Sequence, residues 1–218
     1  MTNDPKYLQF QVRLFWWTII ALVVASFIVP KGQDVLWING HYSAFADRFF
    51  QTITRLGEGW IFIPVLIISL FIRYSLSLAV TFMAALHGII CTLVKKSLPV
   101  EAFLRPSEVL KSEALHYVPG EVLHQFLSFP SGHTATVFCF AVLAALLVRH
   151  RLASIVLLSL ALLVGYSRIY LLQHFLLDVT AGALIGVASA FFSLYLFDRI
   201  QLPSWSQLSL TWGKRQAN

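Results

Sequence analysis

The sequence predicts an all-α fold, a polytopic membrane protein built as a six-transmembrane-helix bundle with extra amphipathic or short helices on the outer face. Two observations carry this. Of 218 residues, 58% are hydrophobic and 12% charged, against about 45–50% and about 25% in ordinary soluble domains. Six stretches contain no Asp, Glu, Lys or Arg: 14–30, 59–72, 74–94, 134–148, 152–167 and 179–197. So much apolar surface exceeds what one small water-soluble core buries. The same figures exclude a disordered or disulfide-stapled chain. A single domain over residues 1–218 is expected.

The first stretch is long enough to cross the ~30 Å hydrocarbon layer. It lacks a small-x-small cleavage site and five more stretches follow, so it reads as a span rather than a signal peptide. An outer-face segment covers about 31–58. There Phe45, Phe49, Phe50, Ile53 and Leu56 recur at helical spacing. That pattern fits an amphipathic surface helix or a helix capping the bundle. Stretches 59–72 and 74–94 meet at Arg73. A second outer-face segment, about 95–133, is broken by Pro99, Pro106 and Pro119-Gly120 and reads as loop with short helix. Stretches 134–148 and 152–167 meet in a turn holding Arg149 and Arg151. The last span is followed by a cytoplasmic tail over about 199–218. Three stretches reach the minimum of about 17 residues, and the other three need turns borrowed at their ends. All are expected to be helical, because spanning backbone must satisfy itself internally. Trp16, Trp17, Trp37, Trp60, Trp205 and Trp212 stand at or beyond stretch ends, where aromatic belts form.

Six crossings put both termini on one side. That side holds eight Lys/Arg, including Arg73, Arg149 and Arg151, against two acidic residues. The other side holds eight Lys/Arg as well, so the count ties, and the tight basic turns favour the terminal side as cytoplasmic. The net charge of +6 is scattered, with no Lys/Arg block, so no nucleic-acid partner is expected. Cys91 and Cys139 lie alone in apolar stretches and read as small buried residues.

Charges at the edge of a membrane bundle are costly and mark function. Three clusters fall at the same outer edge. Lys95-Lys96 ends the third stretch, with Arg105-Pro106 beyond it. Pro130-Ser131-Gly132-His133 opens the fourth. Ser167-Arg168 ends the fifth, followed by His174 and Asp178. Arg forks match phosphate oxygens in pairs and Lys adds a point charge. A helix opening at Ser131-Gly132 turns backbone N–H groups toward an anion, and Gly132 permits close approach. His174 and Asp178, spaced i,i+4, share a helix face, so the carboxylate accepts a hydrogen bond from one ring nitrogen and leaves the other free to attack. His133 is a second histidine for proton transfer.

The order Lys…Arg-Pro, Pro-Ser-Gly-His, Ser-Arg-x5-His-x3-Asp resembles the three-part signature of the type 2 phosphatidic acid phosphatases, the PAP2 family of integral-membrane lipid phosphatases. The motifs span 95–178. The resemblance implies a phosphohistidine intermediate and no cofactor or metal. It implies that His174 attacks phosphorus, that Asp178 orients it, and that His133 protonates the leaving oxygen and then activates water. Lys96, Arg105, Ser131, Gly132 and Arg168 would hold the phosphate oxygens. Six residues usually separate that lysine from Arg-Pro, but position 98 is Leu98; Lys96 leaves eight and Lys95 nine, so Lys96 is preferred. The implied substrate is a membrane lipid phosphate or pyrophosphate: phosphatidate, phosphatidylglycerophosphate, undecaprenyl diphosphate and lipid A phosphates all fit. The implied location is a bacterial inner membrane, with the site facing the periplasm.

Two other functions use the same residues. A phosphotransferase would pass the group to a lipid or alcohol, and a lipid-phosphate transporter or binding protein would do no chemistry. A metal reading rests on Glu113-x-x-His116 and Glu121-x-x-His124, but di-iron bundles need further carboxylates from other helices. His116, Glu121 and His124 are instead read as lining substrate access. His87 reads as a packed polar residue, and His41 and His150 as solvated or interfacial. Paired histidines predict a bell-shaped pH–rate profile.

Overall fold

Each of the six uncharged stretches becomes helix. The computed structural model of the protein describes residues 5–99 and 103–210. Among these the secondary structure is helical, with no strand. The long helices are α1 (Pro5–Ile28), α5 (Tyr74–Ser97), α8 (Arg151–Tyr170) and α9 (Leu176–Arg199). The shorter ones are α2 (Gln33–Gly40), α3 (Ala44–Ile53), α4 (Phe62–Ile72), α6 (Pro106–Val109) and α7 (Gly132–Val148). Four helices are long and apolar enough to cross a membrane: residues 6–28 of α1, and α5, α8 and α9. A fifth crossing exists if the pair Ala44–Gly57 and Gly59–Ile72, bent by 53°, counts as one. Apolar α7 has 17 residues, roughly 25 Å at 1.5 Å per residue, which is at the lower limit of about 17 residues for a crossing. The length criterion therefore supports four or five spans rather than the expected six. Two stretches fall short alone: α7, and the second stretch, whose α4 is preceded by two 3₁₀ turns, Thr54–Gly57 and Gly59–Ile61, about Glu58.

α7 is the inner helix. It packs mainly on α8 and α9, and more lightly on α5 and α1. Its Phe138, Cys139 and Val142 are fully buried. Close approach to α9 depends on Gly182 and Gly186, a small-x-x-x-small pair. A Cβ on Gly182 would run into the Ser131 carbonyl; one on Gly186 would strike the Ala135 carbonyl and come within 2.9 Å of Phe138 Cβ. Backbone cannot yield cheaply, so Gly186→Ala is expected to destabilise by about 1–3 kcal/mol. Thermal unfolding in detergent measures this, and an unchanged melting temperature would contradict the close crossing.

Polar ties fix the order of the helix ends. Gln11 of α1 donates to the Ala145 carbonyl (2.5 Å) and to Ser154 (3.1 Å), while Ser26, a few turns on, bonds Thr180 at 2.7 Å. The start of α1 therefore lies with the end of α7 and the start of α8, and its end lies with the start of α9. The 203–210 segment returns to the same end as Arg73: Tyr74 N donates to Leu208 O and Leu210 N to Leu70 O. The opposite end gathers the C-terminal ends of α5 and α8 and the N-terminal ends of α7 and α9.

The two segments expected on the outer face divide as the patterning allowed. α3 caps the bundle with its apolar face: Phe50 lies 5.2 Å from Tyr166 and 4.6 Å from Tyr170, and Ile53 and Leu56 join the core, while Phe45 is exposed. Residues 103–131 are mostly irregular, with α6 their one short α-helix among the described residues. Trp37, Trp60 and Trp205 are exposed, as belt residues are; Trp16 and Trp17 are exposed too but lie midway along α1 rather than at a span end; Trp212 and the end of the 199–218 tail lie outside the described residues. Cys91 and Cys139 are buried free thiols.

Candidate active site

Three remote pieces of chain meet at the α7/α9 N-terminal end. Ser131 caps α7, its Oγ accepting from Thr134 N and from Thr134 Oγ1 (2.9 Å), while its own N–H donates to the Asp178 carbonyl at 2.9 Å. That bond locks the second motif onto the third. Ser131 is fully buried, and its cap role uses acceptor capacity, which leaves the hydroxyl proton to donate. Gly132 and His133 line a cleft of about 340 Å³ with Gly57, His87, Cys91 and Lys95.

His174 does not ride on α9 but sits in the loop before it, tied by its N–H to the Arg168 carbonyl. Asp178, in the first turn of α9, accepts from Phe175 N at 2.9 Å and from Ser128 Oγ. The α9 N-terminus gains a second carboxylate from α2, where Asp34 accepts from Leu176 N at 2.5 Å. His174 Nδ1 and Asp178 Oδ2 are 3.6 Å apart. The two groups face each other as the spacing predicts, but at ion-pair distance rather than in the expected hydrogen bond. Asp178 has spent that oxygen on Ser128 and Phe175.

The guanidinium groups come from separate elements, Arg105 from the residue before α6 and Arg168 from the last turn of α8. Arg105 is buried; its Nε donates to Phe126 O (3.0 Å), and its Nη1 to Gln173 O (3.1 Å) and Gln173 Oε1 (2.6 Å). Arg168 Nη1 donates to Thr54 Oγ1 at 2.8 Å. Arg168 Nε and His174 Nδ1 are buried polar atoms with no hydrogen-bond partner. His174 Nδ1 is turned to Asp178, so the Arg168 Nε is the orphan left for an oxygen acceptor of a ligand. His133 and His174 lie in one electrostatic neighbourhood, each within the field of both Arg105 and Arg168.

The lysine is where placement departs from expectation. Lys96, preferred on spacing, is exposed, whereas Lys95 lines the cleft and donates to Leu127 O at 3.1 Å. Helical phase is the cause: Lys95 continues the His87–Cys91 row at i, i+4 and i+8, while Lys96 is turned about 100° away.

Burial, first of all, holds the His174 imidazole well below its ordinary value; the Arg168 and Arg105 charges add to this, and Asp178 pulls the other way. His174 is thus neutral at pH 7, as a nucleophile must be. A folded value below the unfolded one of about 6.5 means the unfolded chain binds more protons beneath that pH. Its stabilising contribution is complete above about pH 6.5 and is lost as pH falls. Denaturation of detergent-solubilised protein between pH 7 and 5 should show this loss, and His174→Gln should flatten the slope. An equal slope in both proteins would remove the buried imidazole as its source.

Sequence reasoning missed Gln173, Thr54 and Ser128. Gln173 is fully buried and couples Arg105 to Glu121, its Nε2 donating to Glu121 Oε1 (3.0 Å) and Val122 O (2.9 Å). A polar residue ending the apolar run Ile169–Leu172, beside His174, was the available signal. The residues read as lining access divide. His116 pairs with Asp47 (3.0 Å) and stacks on Tyr42, Glu121 serves Gln173, and His124 is exposed. Among the described residues no three His, Cys, Asp or Glu side chains gather as metal ligands, and the two Glu-x-x-His pairs do not converge. His87 is buried and bonds Thr136 (3.2 Å); His41 is exposed, and His150 caps α8 by accepting from Ala153 N.

A helical bundle with long apolar helices, its buried arginines and two histidines collected at one end, defines a class: helical membrane proteins with a polar, cationic site at one end of the bundle. The chain belongs to the PAP2 superfamily, whose family model matches residues 76–201, more than half of its length. An undecaprenyl-diphosphatase of Sulfolobus acidocaldarius is 27% identical over 164 residues, 73% of this chain and 74% of that protein. The crystal structure of Aquifex aeolicus LpxE superposes with a TM-score of 0.65 at 30% identity, covering 74% of this chain and 92% of the other. A PAP2-type phosphatidylglycerolphosphate phosphatase from Bacillus subtilis superposes with a TM-score of 0.59 at 25% identity, covering 88% and 96%.

Proposed function

We propose that this chain is a membrane-embedded, metal-independent phosphatase that hydrolyses a lipid phosphate monoester or lipid pyrophosphate through a phosphohistidine. The observation that carries the reading is the buried, unpartnered Arg168 Nε in the same pocket as a buried His174 whose Nδ1 faces Asp178. The names of the diphosphatase and the phosphatidylglycerolphosphate phosphatase among its relatives support the lipid substrate class.

The chemistry follows from the atoms. Nδ1 faces Asp178, so Nε2 attacks phosphorus. The N–P bond forms as the bond to the leaving oxygen breaks, and His133 gives that oxygen its proton. Water then attacks the phosphohistidine, His133 takes the water's proton, the N–P bond breaks and inorganic phosphate leaves. Arg105, Arg168, Lys95, Gly132 N–H and the Ser131 hydroxyl receive the charge spread over the equatorial oxygens. Lys95 takes the place of Lys96 in this set because of its position in the cleft.

We place the site at the outer face of a bacterial inner membrane, in a single domain over 1–218 crossing six times, with the bent pair and α7 as the fifth and sixth crossings. Support comes from the start of α1 and the 203–210 segment, which share the end opposite the site. The test is trapping of ³²P from a labelled lipid phosphate. An acid-labile adduct on His174, free phosphate as product, and full turnover in EDTA are expected. Absence of an adduct under rapid quench, or metal-dependent turnover, would overturn the proposal.

A further inference from the structure

A second charged concavity lies at the end of the bundle away from the site. One face of α1 contributes Lys6, Phe10, Arg13, Trp17 and Ala21, at steps of three and four residues, and Arg151 at the start of α8 closes the other wall. The groove holds about 670 Å³, and among the described residues no carboxylate lines it. Arg13 and Arg151 make no ion pair among the described residues. Arg151 is held in place by aromatic rings, its guanidinium 5.4 Å from the Phe10 ring centre and 6.0 Å from that of Tyr7.

We propose that this groove binds a non-substrate anionic phospholipid of the leaflet opposite the site, with its phosphate between Arg13 and Arg151. A basic turn that only obeyed the positive-inside rule would carry scattered cations over no particular shape. Here residues 138 positions apart in sequence converge on one recess. The recess is polar at one end and apolar along its length. From Lys6 to Ala21, α1 rises roughly 22 Å, so Leu14, Trp17 and Ala21 continue past the cations into the hydrocarbon depth. Free phosphate would have no use for that wall; an acyl chain would. Basic pockets between helices recognise anionic headgroups through this combination of charge and apolar wall.

The experiment is native mass spectrometry of the full chain in detergent, titrated with phosphatidylglycerol or phosphatidylcholine. Preferential retention of phosphatidylglycerol is expected. Arg13→Gln/Arg151→Gln should cut that retention about ten-fold or more, leaving turnover of a short-chain soluble substrate unchanged. Both residues are exposed, so the variant should fold. Arg168→Ala, at the opposite end, should leave retention intact. Equal retention of both lipids by the parent protein would overturn the proposal. So would full retention by the double variant, loss in Arg168→Ala instead, or displacement by equimolar inorganic phosphate.

Discussion

His174→Ala is expected to lower lipid phosphatase turnover by at least about 10⁴-fold while leaving the protein folded. Removing a covalent nucleophile leaves only the rate supplied by binding and charge stabilisation. The fold should survive for a reason visible in its bonding. The imidazole is 2% exposed, yet its Nδ1 has no hydrogen-bond partner and meets Asp178 only at 3.6 Å. Alanine therefore removes a buried polar atom that the protein leaves unsatisfied, and the remaining cost is a small cavity. The backbone tie from His174 N to the Arg168 carbonyl is kept. Asp178 keeps its bonds from Ser128 and Phe175 N, so the start of α9 keeps its cap. Phosphate release from a panel of purified lipid phosphates, with melting temperature as control, checks both halves. Near-normal turnover would remove His174 from the chemistry, and a collapsed melting temperature would make it a structural residue.

Much of the candidate site's geometry was legible in the sequence because a charged group at the edge of a membrane bundle is costly and stands out among apolar stretches. His174 and Asp178 keep a fixed spacing; Arg168 interrupts an apolar stretch; Pro-Ser-Gly-His opens one. Six uncharged runs were enough to foresee helices and their shared end. Spacing became a poor guide where a residue's direction mattered. Counting toward Arg105 favours Lys96, but the phase of α5 is set by the packing of His87 and Cys91, which puts Lys95 in the cleft. Span length was equally unreadable at 59–72, because Gly57 packs directly on His133, where a Cβ would come within 2.8 Å of the His133 Cβ. The 53° bend falls beside that contact, and no local pattern announces it. Thr54 and Gln173 escaped for a related reason. Each acts through one guanidinium, Arg168 and Arg105 respectively, brought from 114 and 68 residues away. An uncharged polar side chain in such a role carries no motif of its own.

Arg168→Ala is expected to reduce kcat/KM about 10²–10³-fold, the loss typical of deleting one preorganised donor to transition-state charge. Two roles compete for this residue. An interfacial arginine anchors to headgroups by keeping its guanidinium in water. Arg168 does the reverse: it is 6% exposed, with Nη1 fixed on Thr54 at 2.8 Å and Nε buried without a partner. A guanidinium held by one nitrogen and left open at another is shaped to receive an oxygen anion side-on. Arg168→Lys separates charge from shape, because the ammonium keeps the positive field but loses the planar fork. If the fork matters, lysine should recover only a small part of the loss, and vanadate inhibition should weaken in parallel with kcat/KM. If Arg168 only supplied field, lysine would restore most of the activity. If it were an anchor, both variants would insert poorly yet turn over normally once in detergent. Kinetics of the detergent-solubilised variants, normalised to folded protein, distinguish the three outcomes, and only the first agrees with the geometry at Thr54 and His174.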